Sequence, residues 1–404
     1  YRQYGPDAIA IVKANPYRLC NDVWGIGFKT ADAIALSVGV PRDSPARARA
    51  GLAYTLQAQA DEGGHCFCLE ADLVLHTQEL LGIPAETLTG ALAEDVARGS
   101  VVRDAGRIYL RALHDAERTV AEGLRRLLRH DTRFRPIDAP RALEWAEGKM
   151  GLHLADAQRA ALLAALQSKV AVITGGPGVG KTTIIRALTE IFQARRLTVA
   201  LAAPTGRAAK RMSEATGREA LTIHRLLKYN PHGHAFEHDA GNPIDADVFI
   251  LDEMSMVDIR LMSQFLQALP DFAALILVGD TDQLPSVGPG NVLRDIICSG
   301  AVASTKLDTI FRQDTTGLIV QNAHRVNNGE MIAAGSGESD FYFIDTAEPD
   351  KIVSRMVDLV TRRIPGRFGL SALEDVQILT PMRRNQLGAE NLNAVLQAAL
   401  NPVG

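Results

Sequence analysis

The sequence predicts an α/β chain, with a parallel sheet flanked by helices from about residue 138 and a mostly helical region before it. Three observations carry this. Short apolar runs at 170–174, 198–202, 248–251 and 275–278 are each followed closely by glycine, proline or a carboxylate, as buried parallel strands are. Helical patterns alternate with them. The 404 residues exceed what one core usually holds, so several domains are expected.

Composition fits a globular chain, with 47% hydrophobic and 22% charged residues. No apolar run approaches the ~18 residues of a membrane span. The four cysteines, Cys20, Cys66, Cys68 and Cys298, are too few and too scattered for a disulfide framework, so a cytoplasmic location is expected. Cys66-Phe-Cys68 beside His65 lacks a second pair at ligand spacing and reads as two thiols rather than a metal site. The net charge of −4 does not advertise a polyanion binder, but nine Arg stand against five acids between Arg103 and Arg135. That stretch reads equally as a phosphate-facing surface or a solvated amphipathic helix.

The strongest motif is Gly175-Gly176-Pro177-Gly178-Val179-Gly180-Lys181-Thr182-Thr183, between an expected strand at 170–174 and a helix with Ile184, Ile185, Leu188 and Ile191 on one face. Glycines let backbone N–H groups close around an anion, and the helix N-terminus adds partial positive charge. In such a loop Lys181 reaches the β- and γ-phosphates of ATP and the Thr182 hydroxyl ligates Mg²⁺. The run Val248–Leu251 ends in Asp252-Glu253. There Asp252 can hold Mg²⁺ and Glu253 can orient and deprotonate an attacking water. The competing reading is an acidic start to an expected helix over 255–266. Gln283, after the run at 275–278, is a candidate γ-phosphate sensor, and Arg312 a candidate arginine finger.

A second group of residues suits nucleic-acid phosphates. Ala203-Pro204-Thr205-Gly206-Arg207, with Lys210, is a turn leading into a basic helix start, and Thr222-Ile-His224-Arg225 has a similar polar opening. Residues 229–247 read as a protruding β-hairpin, whose His232, His234 and His238 need no ligand role. Residues 376–385 end an expected strand at 376–380 in Thr-Pro381 followed by Arg384 and Asn385, repeating the pattern at 203–207. We read this, with another expected strand at 341–344, as the start of a second α/β domain over 307–404, after a first at 138–306.

The N-terminal 45 residues hold Gly25 and Gly27 between two short helices, in Val23-Trp-Gly-Ile-Gly-Phe-Lys-Thr-Ala-Asp32. This resembles the helix-hairpin-helix motif, whose backbone N–H groups grip a DNA phosphate. The same residues also suit a tight helical corner. Residues 46–137 read as two helices and a β-hairpin, a winged-helix-like module that packs against the following domain.

Together these motifs resemble superfamily-one helicases of the RecD-like class, found as exodeoxyribonuclease V alpha subunits and as stand-alone enzymes. The specific pieces are Ala203-Pro-Thr-Gly-Arg-Ala-Ala, Thr222-Ile-His-Arg-Leu, Leu251-Asp-Glu-Met-Ser, Val278-Gly-Asp-Thr-Asp-Gln-Leu-Pro-Ser-Val and Ile310-Phe-Arg-Gln. The resemblance implies two RecA-like domains with ATP between them, and 5′→3′ movement on single-stranded and forked DNA in repair or recombination. It implies that Gln158 contacts adenine, that residues 229–247 form the pin that splits a duplex, and that the loops at 204–207, 222–225 and 381–385 grip DNA. It implies a monomer, with RecB-like and RecC-like partners or with none. The family's later motifs do not occur before Gly404, and the chain starts inside an expected hairpin repeat. A fragment with an incomplete second domain and poor hydrolysis is therefore expected. Rival readings are a DNA-dependent ATPase that remodels complexes without separating strands, and a non-catalytic DNA-binding subunit.

Overall fold

The computed structural model describes residues 12, 15–23, 26–231, 233, 235–307, 317–335 and 339–401. It divides into two compact units, residues 1–313 and 314–404. Gly25, His232, His234 and Arg312 lie outside the described residues.

The first unit opens with helices Leu19–Asp22 and Phe28–Ser37, followed by Pro45–Gly63, Glu70–Leu81 and Ala85–Arg98. Strands β1 (Phe67–Leu69), β2 (Val101–Asp104) and β3 (Arg107–Leu110) form a small antiparallel sheet in the order β1-β3-β2. The hairpin of β2 and β3 matches expectation, but the three-residue β1 is too short to show a period. One core holds this region together, from Tyr17 and Phe28 through Leu52, Leu73 and Leu92 to Ile108. Inside it Arg47 donates to both carboxylate oxygens of Asp32, at 2.8 and 2.9 Å, and to the carbonyls of Arg42 and Leu81. Tyr17 donates to the same carboxylate at 2.8 Å. Burial alone would raise the Asp32 pKa, but these bonds outweigh it and hold the group below its usual range.

The large sheet follows: β4 (Val170–Gly175), β5 (Val199–Ala203), β6 (Ala220–Thr222), β9 (Val248–Leu251), β10 (Ala274–Gly279) and β11 (Ala303–Leu307). Between β6 and β9 lies a two-rung ladder of β7 (Tyr229–Asn230) with β8 (Ala235–Phe236), the stem of the expected hairpin. The six strands pair in parallel, in the order β11-β4-β10-β9-β5-β6. Alternate side chains serve opposite faces. Ala171, Ile173, Val248 and Ile250 pack with Leu162, Ile184, Leu188 and Phe192 from the helices Asp156–Gln167 and Lys181–Ala194. Val170, Val172, Phe249 and Leu251 pack on the other face with Met262, Phe265 and Leu293.

That second layer is shared. Helix Arg111–Arg129 comes from the region before the sheet, yet its Leu113, Val120 and Leu127 lie in the same cluster as Phe249 and Leu251. Arg126 crosses to the carbonyls of Leu266 and Leu269 and the carboxylate of Asp271, and Arg133 to Asp245 and Asp247. Much of the arginine excess noted between 103 and 135 therefore serves contacts within the unit. Where a helix was expected over 255–266, a 3₁₀ turn (Met254–Met256) comes first, and the helix runs Ile259–Gln267, capped by Asp258. Asp252 and Glu253 therefore do not make the acidic start of a helix.

The second unit holds helices Leu318–Asn327, Pro349–Asp358, Ile364–Phe368 and Ala389–Leu400. The strands expected at 341–344 and 376–380 are not formed, and none occurs among the described residues of this unit. An apolar run becomes a strand only when a neighbouring ladder takes its N–H and C=O groups. Here Phe343 and Leu379 are instead exposed. Residues 381–385 remain an exposed loop ahead of the last helix, with Asn385 at φ 71°.

Removing one partner of a buried ion pair costs about 3–5 kcal/mol, against ~0–1 for an exposed pair. Arg47→Ala is therefore expected to destabilise the chain far more than Arg18→Ala, whose contact with Asp22 is exposed. Urea unfolding at pH 7 measures both; equal losses would refute the assignment. The Asp32 contribution is full above the ordinary aspartate range and disappears as pH falls through its lowered pKa.

Candidate functional site

The glycine-rich loop sits between buried β4 and helix Lys181–Ala194. Gly178 and Gly180 have φ of 80° and 84°, where a side chain is strained. Gly175 has no room for one: a Cβ would stand 2.8 Å from the Leu307 carbonyl oxygen and 2.9 Å from Val179. Lys181 folds over the loop and donates to the carbonyls of Gly175 and, at 2.9 Å, Gly176. Its ammonium thus stands within the turn that would cradle a phosphate. Thr182 is exposed in the first helical turn.

Parallel pairing brings the carboxylates to the same edge. Gly279 of β10 pairs with Thr174 of β4, and Leu251 of β9 pairs with Leu277 of β10. Asp252 leaves β9 with its N–H on the Ala202 carbonyl at 3.0 Å, and its carboxylate accepts the Glu253 N–H at 2.8 Å. Burial raises the Asp252 pKa to about 6. Glu253 adds to that rise, while the Glu253 N–H, Lys181 and Arg211 oppose it. Glu253 itself takes φ 53°, rare for a side-chain-bearing residue, and its Oε2 is buried without a hydrogen-bond partner. A desolvated carboxylate pair with an unsatisfied oxygen, opposite an ammonium, fits a divalent cation carrying phosphates.

Asp280, at the end of β10, is buried and accepts from the Gln283 side chain at 3.1 Å. Gln158 is buried too. It accepts from Ala155 N–H at 3.1 Å and donates to the Val179 carbonyl at 3.1 Å. Its nitrogen therefore braces the loop while its oxygen holds the start of its own helix, a role that spacing alone did not reveal.

The expected nucleic-acid residues lie one and two strands beyond Asp252. Ala203 of β5 pairs with Thr222 of β6, so the turns after them are neighbours. Pro204 is partly buried in the first turn, and Gly206 opens the helix Gly206–Thr216. Thr205 caps that helix by accepting from Ala208 N–H at 3.2 Å, and Thr222 accepts from Arg225 N–H at 3.2 Å. Each hydroxyl keeps its proton to donate to a phosphate. Arg207, Lys210, His224 and Arg225 are exposed beside them. Pro381, Arg384 and Asn385 belong to the second unit, and Gly27 caps helix Phe28–Ser37 at the N-terminal end of the first.

Because the folded pKa of Asp252 lies above its unfolded value, its protonated form is favoured by folding, and stability falls as pH rises through about 6. Asp252→Asn is thus expected to raise Tm at pH 8 while leaving it unchanged near pH 3. A variant less stable than the parent at pH 8 would contradict this.

Two family models match the chain: one described as "AAA domain" over residues 158–289, and one described as "ATP-dependent RecD2 DNA helicase HHH domain" over residues 1–67. An ATP-dependent RecD2 DNA helicase of Deinococcus radiodurans is 36% identical over 99% of this chain and 55% of its own length. A RecBCD enzyme subunit RecD of Mycobacterium tuberculosis is 34% identical over 61% of this chain and 49% of its own. The chain thus spans about half the length of these relatives. Among the described residues no helix is long and apolar enough to cross a membrane. With a six-stranded parallel sheet around a phosphate loop, a RecD2-type N-terminal domain and this similarity along nearly all its length, the chain belongs to the RecD-like helicase family.

Proposed function

We propose that this chain is the ATP-hydrolysing motor portion of a DNA helicase that moves 5′→3′ on single-stranded DNA and opens forked duplexes, in repair or recombination. The observation that carries this reading is the common sheet edge: phosphate loop, Asp252, Thr205 and Thr222 all follow strands of one parallel ladder. Asp252, after β9, is one strand away from the turn after β5 that holds DNA, and the phosphate loop after β4 lies two strands further along the same edge. Lys181 and the loop N–H groups bind the phosphates of ATP, Gln158 meets the adenine, and Thr182 and Asp252 hold Mg²⁺. Bound there, Mg²⁺ would supply positive charge to the phosphates. Glu253 orients water, Gln283 senses the γ-phosphate, and Arg312 supplies charge to the transition state.

On the DNA side, Thr205, Arg207, Lys210, Thr222 and Arg225 contact phosphates and discriminate little between bases. His224, Tyr229 and Phe236 form an aromatic group at the root of the hairpin, with ring centroids 5.1–5.9 Å apart. Such faces stack on bases regardless of sequence. The loop at 381–385 provides a second grip, and alternation between the two grips produces movement. The helix-hairpin-helix region, with Gly25 and Gly27, holds duplex backbone. The protein acts as a monomer in the cytoplasm, alone or with RecB-like and RecC-like subunits.

The test is ATP hydrolysis with and without single-stranded DNA, on the longest natural form of the protein, beside Lys181→Ala. Turnover stimulated by DNA and abolished by Lys181→Ala is expected; its absence favours a non-catalytic DNA-binding subunit. Arg312→Ala is expected to lower kcat about 10³-fold or more while nucleotide affinity stays within about twofold. Equal loss of both would remove the finger role. Deleting residues 229–242 is expected to abolish strand separation and spare DNA-stimulated hydrolysis. Unwinding that survives the deletion would remove the pin role.

A further inference from the structure

The turn after Gln283 is held by the N-terminal region. Ser286 donates to the carbonyls of Gly288 and Gly290, at 2.8 and 3.1 Å, and closes residues 286–290 into one compact piece. Gly290 N–H then bonds the Gly64 carbonyl at 2.9 Å, and the Pro289 carbonyl accepts from Ile259 N–H at 2.9 Å. Gly290 has φ 97°, and a Cβ there would stand 2.9 Å from Ile259 Cβ and 3.2 Å from Cys66 Sγ. A Cβ at Gly288 would collide with the Asp258 carboxylate, 2.1 Å away. Two glycines are thus fitted against parts they could not approach with side chains. The Cys66 thiol is buried, and burial together with the Glu117 carboxylate of helix Arg111–Arg129 raises its pKa, so it faces Gly290 as a neutral thiol. Helix Val292–Cys298 begins two residues beyond Gly290. The segment joining Gln283 to that helix is exposed at Leu284 and Val287 and is tied down at its far end, by Gly64 and Cys66 at Gly290 and by Ile259 at Pro289.

We propose that Gly64 and Cys66 are positioning residues for Gln283: through Gly290 they hold the turn that places it, so the N-terminal region sets the rate of nucleotide turnover without contributing to nucleotide binding. This rests on the ATPase reading above. A sensor must be in place only when the γ-phosphate reacts. Its displacement therefore lowers kcat and kcat/KM together and leaves ground-state binding intact. Displacements near 1 Å suffice for large losses of rate.

Cys66→Leu, which pushes on Gly290, tests this, with Cys66→Ser as the conservative variant of similar size. Ala91→Leu, overpacked in the N-terminal core away from the turn, is the control for lost stability. We expect kcat for DNA-stimulated ATP hydrolysis to fall about tenfold or more in Cys66→Leu. Affinity for a non-hydrolysable ATP analogue should stay within about twofold. Cys66→Ser should remain close to the parent, and Ala91→Leu should keep its kcat at a comparable loss of Tm. If Cys66→Leu does not fold, Cys66→Ala carries the test, with a smaller fall in kcat and faster exchange of the Gly290 amide. An unchanged kcat in the Cys66 variants, or an equal fall in Ala91→Leu, overturns the positioning role. Turnover in the parent that Lys181→Ala does not abolish overturns the ATPase reading itself, a separate outcome.

Discussion

Parallel pairing of β4, β10, β9, β5 and β6 is the constraint on which the chemistry depends. Parallel strands all run the same way, so their carboxyl ends share an edge, and the turns leaving them must lie side by side. The register Ala203 with Thr222, Leu251 with Ala202 and Gly279 with Thr174 places Asp252 and the polar turns on successive neighbouring strands, with the phosphate loop on the same edge two strands from Asp252. Strands lie about 4.8 Å apart, so charge changing at one turn is felt at the next. One slipped register would separate these groups.

The sheet also depends on a helix that arrives before it in the chain. Leu113, Val120 and Leu127 complete a layer that Met262, Phe265 and Leu293 only partly supply. Burying one such side chain is worth roughly 1.5–3 kcal/mol, so the region before the sheet contributes materially to its folding. The same helix carries Glu117, whose carboxylate, together with burial, raises the pKa of the Cys66 thiol that meets Gly290. The arginines on it that suggested a phosphate surface are partly committed elsewhere. Arg126 donates to both the Leu266 and Leu269 carbonyls at the end of the facing helix.

Desolvation gives the site its character. Asp252 is driven toward its neutral form by burial, and Glu253 is twisted into a left-handed conformation with an unsatisfied oxygen. These arrangements cost stability on their own and are offset by positive charge. Gln158, Gly175 and Gly180 serve the opposite purpose. Gln158 braces the loop from one side, and a Cβ at Gly180 would meet its Nε2 at 2.1 Å.

Much of this was legible in the residues. The phosphate loop, the strand ending in Asp252-Glu253 and the strands at 199–203 and 274–279 follow from local patterns: glycine conformations, apolar runs, and a helix period in Ile184, Ile185 and Leu188. Those signals are local because backbone sterics and alternation of side chains are local. The apolar runs at 341–344 and 376–380 looked the same, yet they are not strands, since a strand exists only through its neighbour. Likewise no pattern announced that Gly290 meets Gly64 or that Gln158 holds Val179, whereas packing of the module before the sheet against it was expected and is made by helix Arg111–Arg129. Residue type and spacing by themselves determined which chemistry the chain can carry. Which groups meet was decided by tertiary packing, because contacts between residues some 225 positions apart depend on how the layers close and leave no period in the chain.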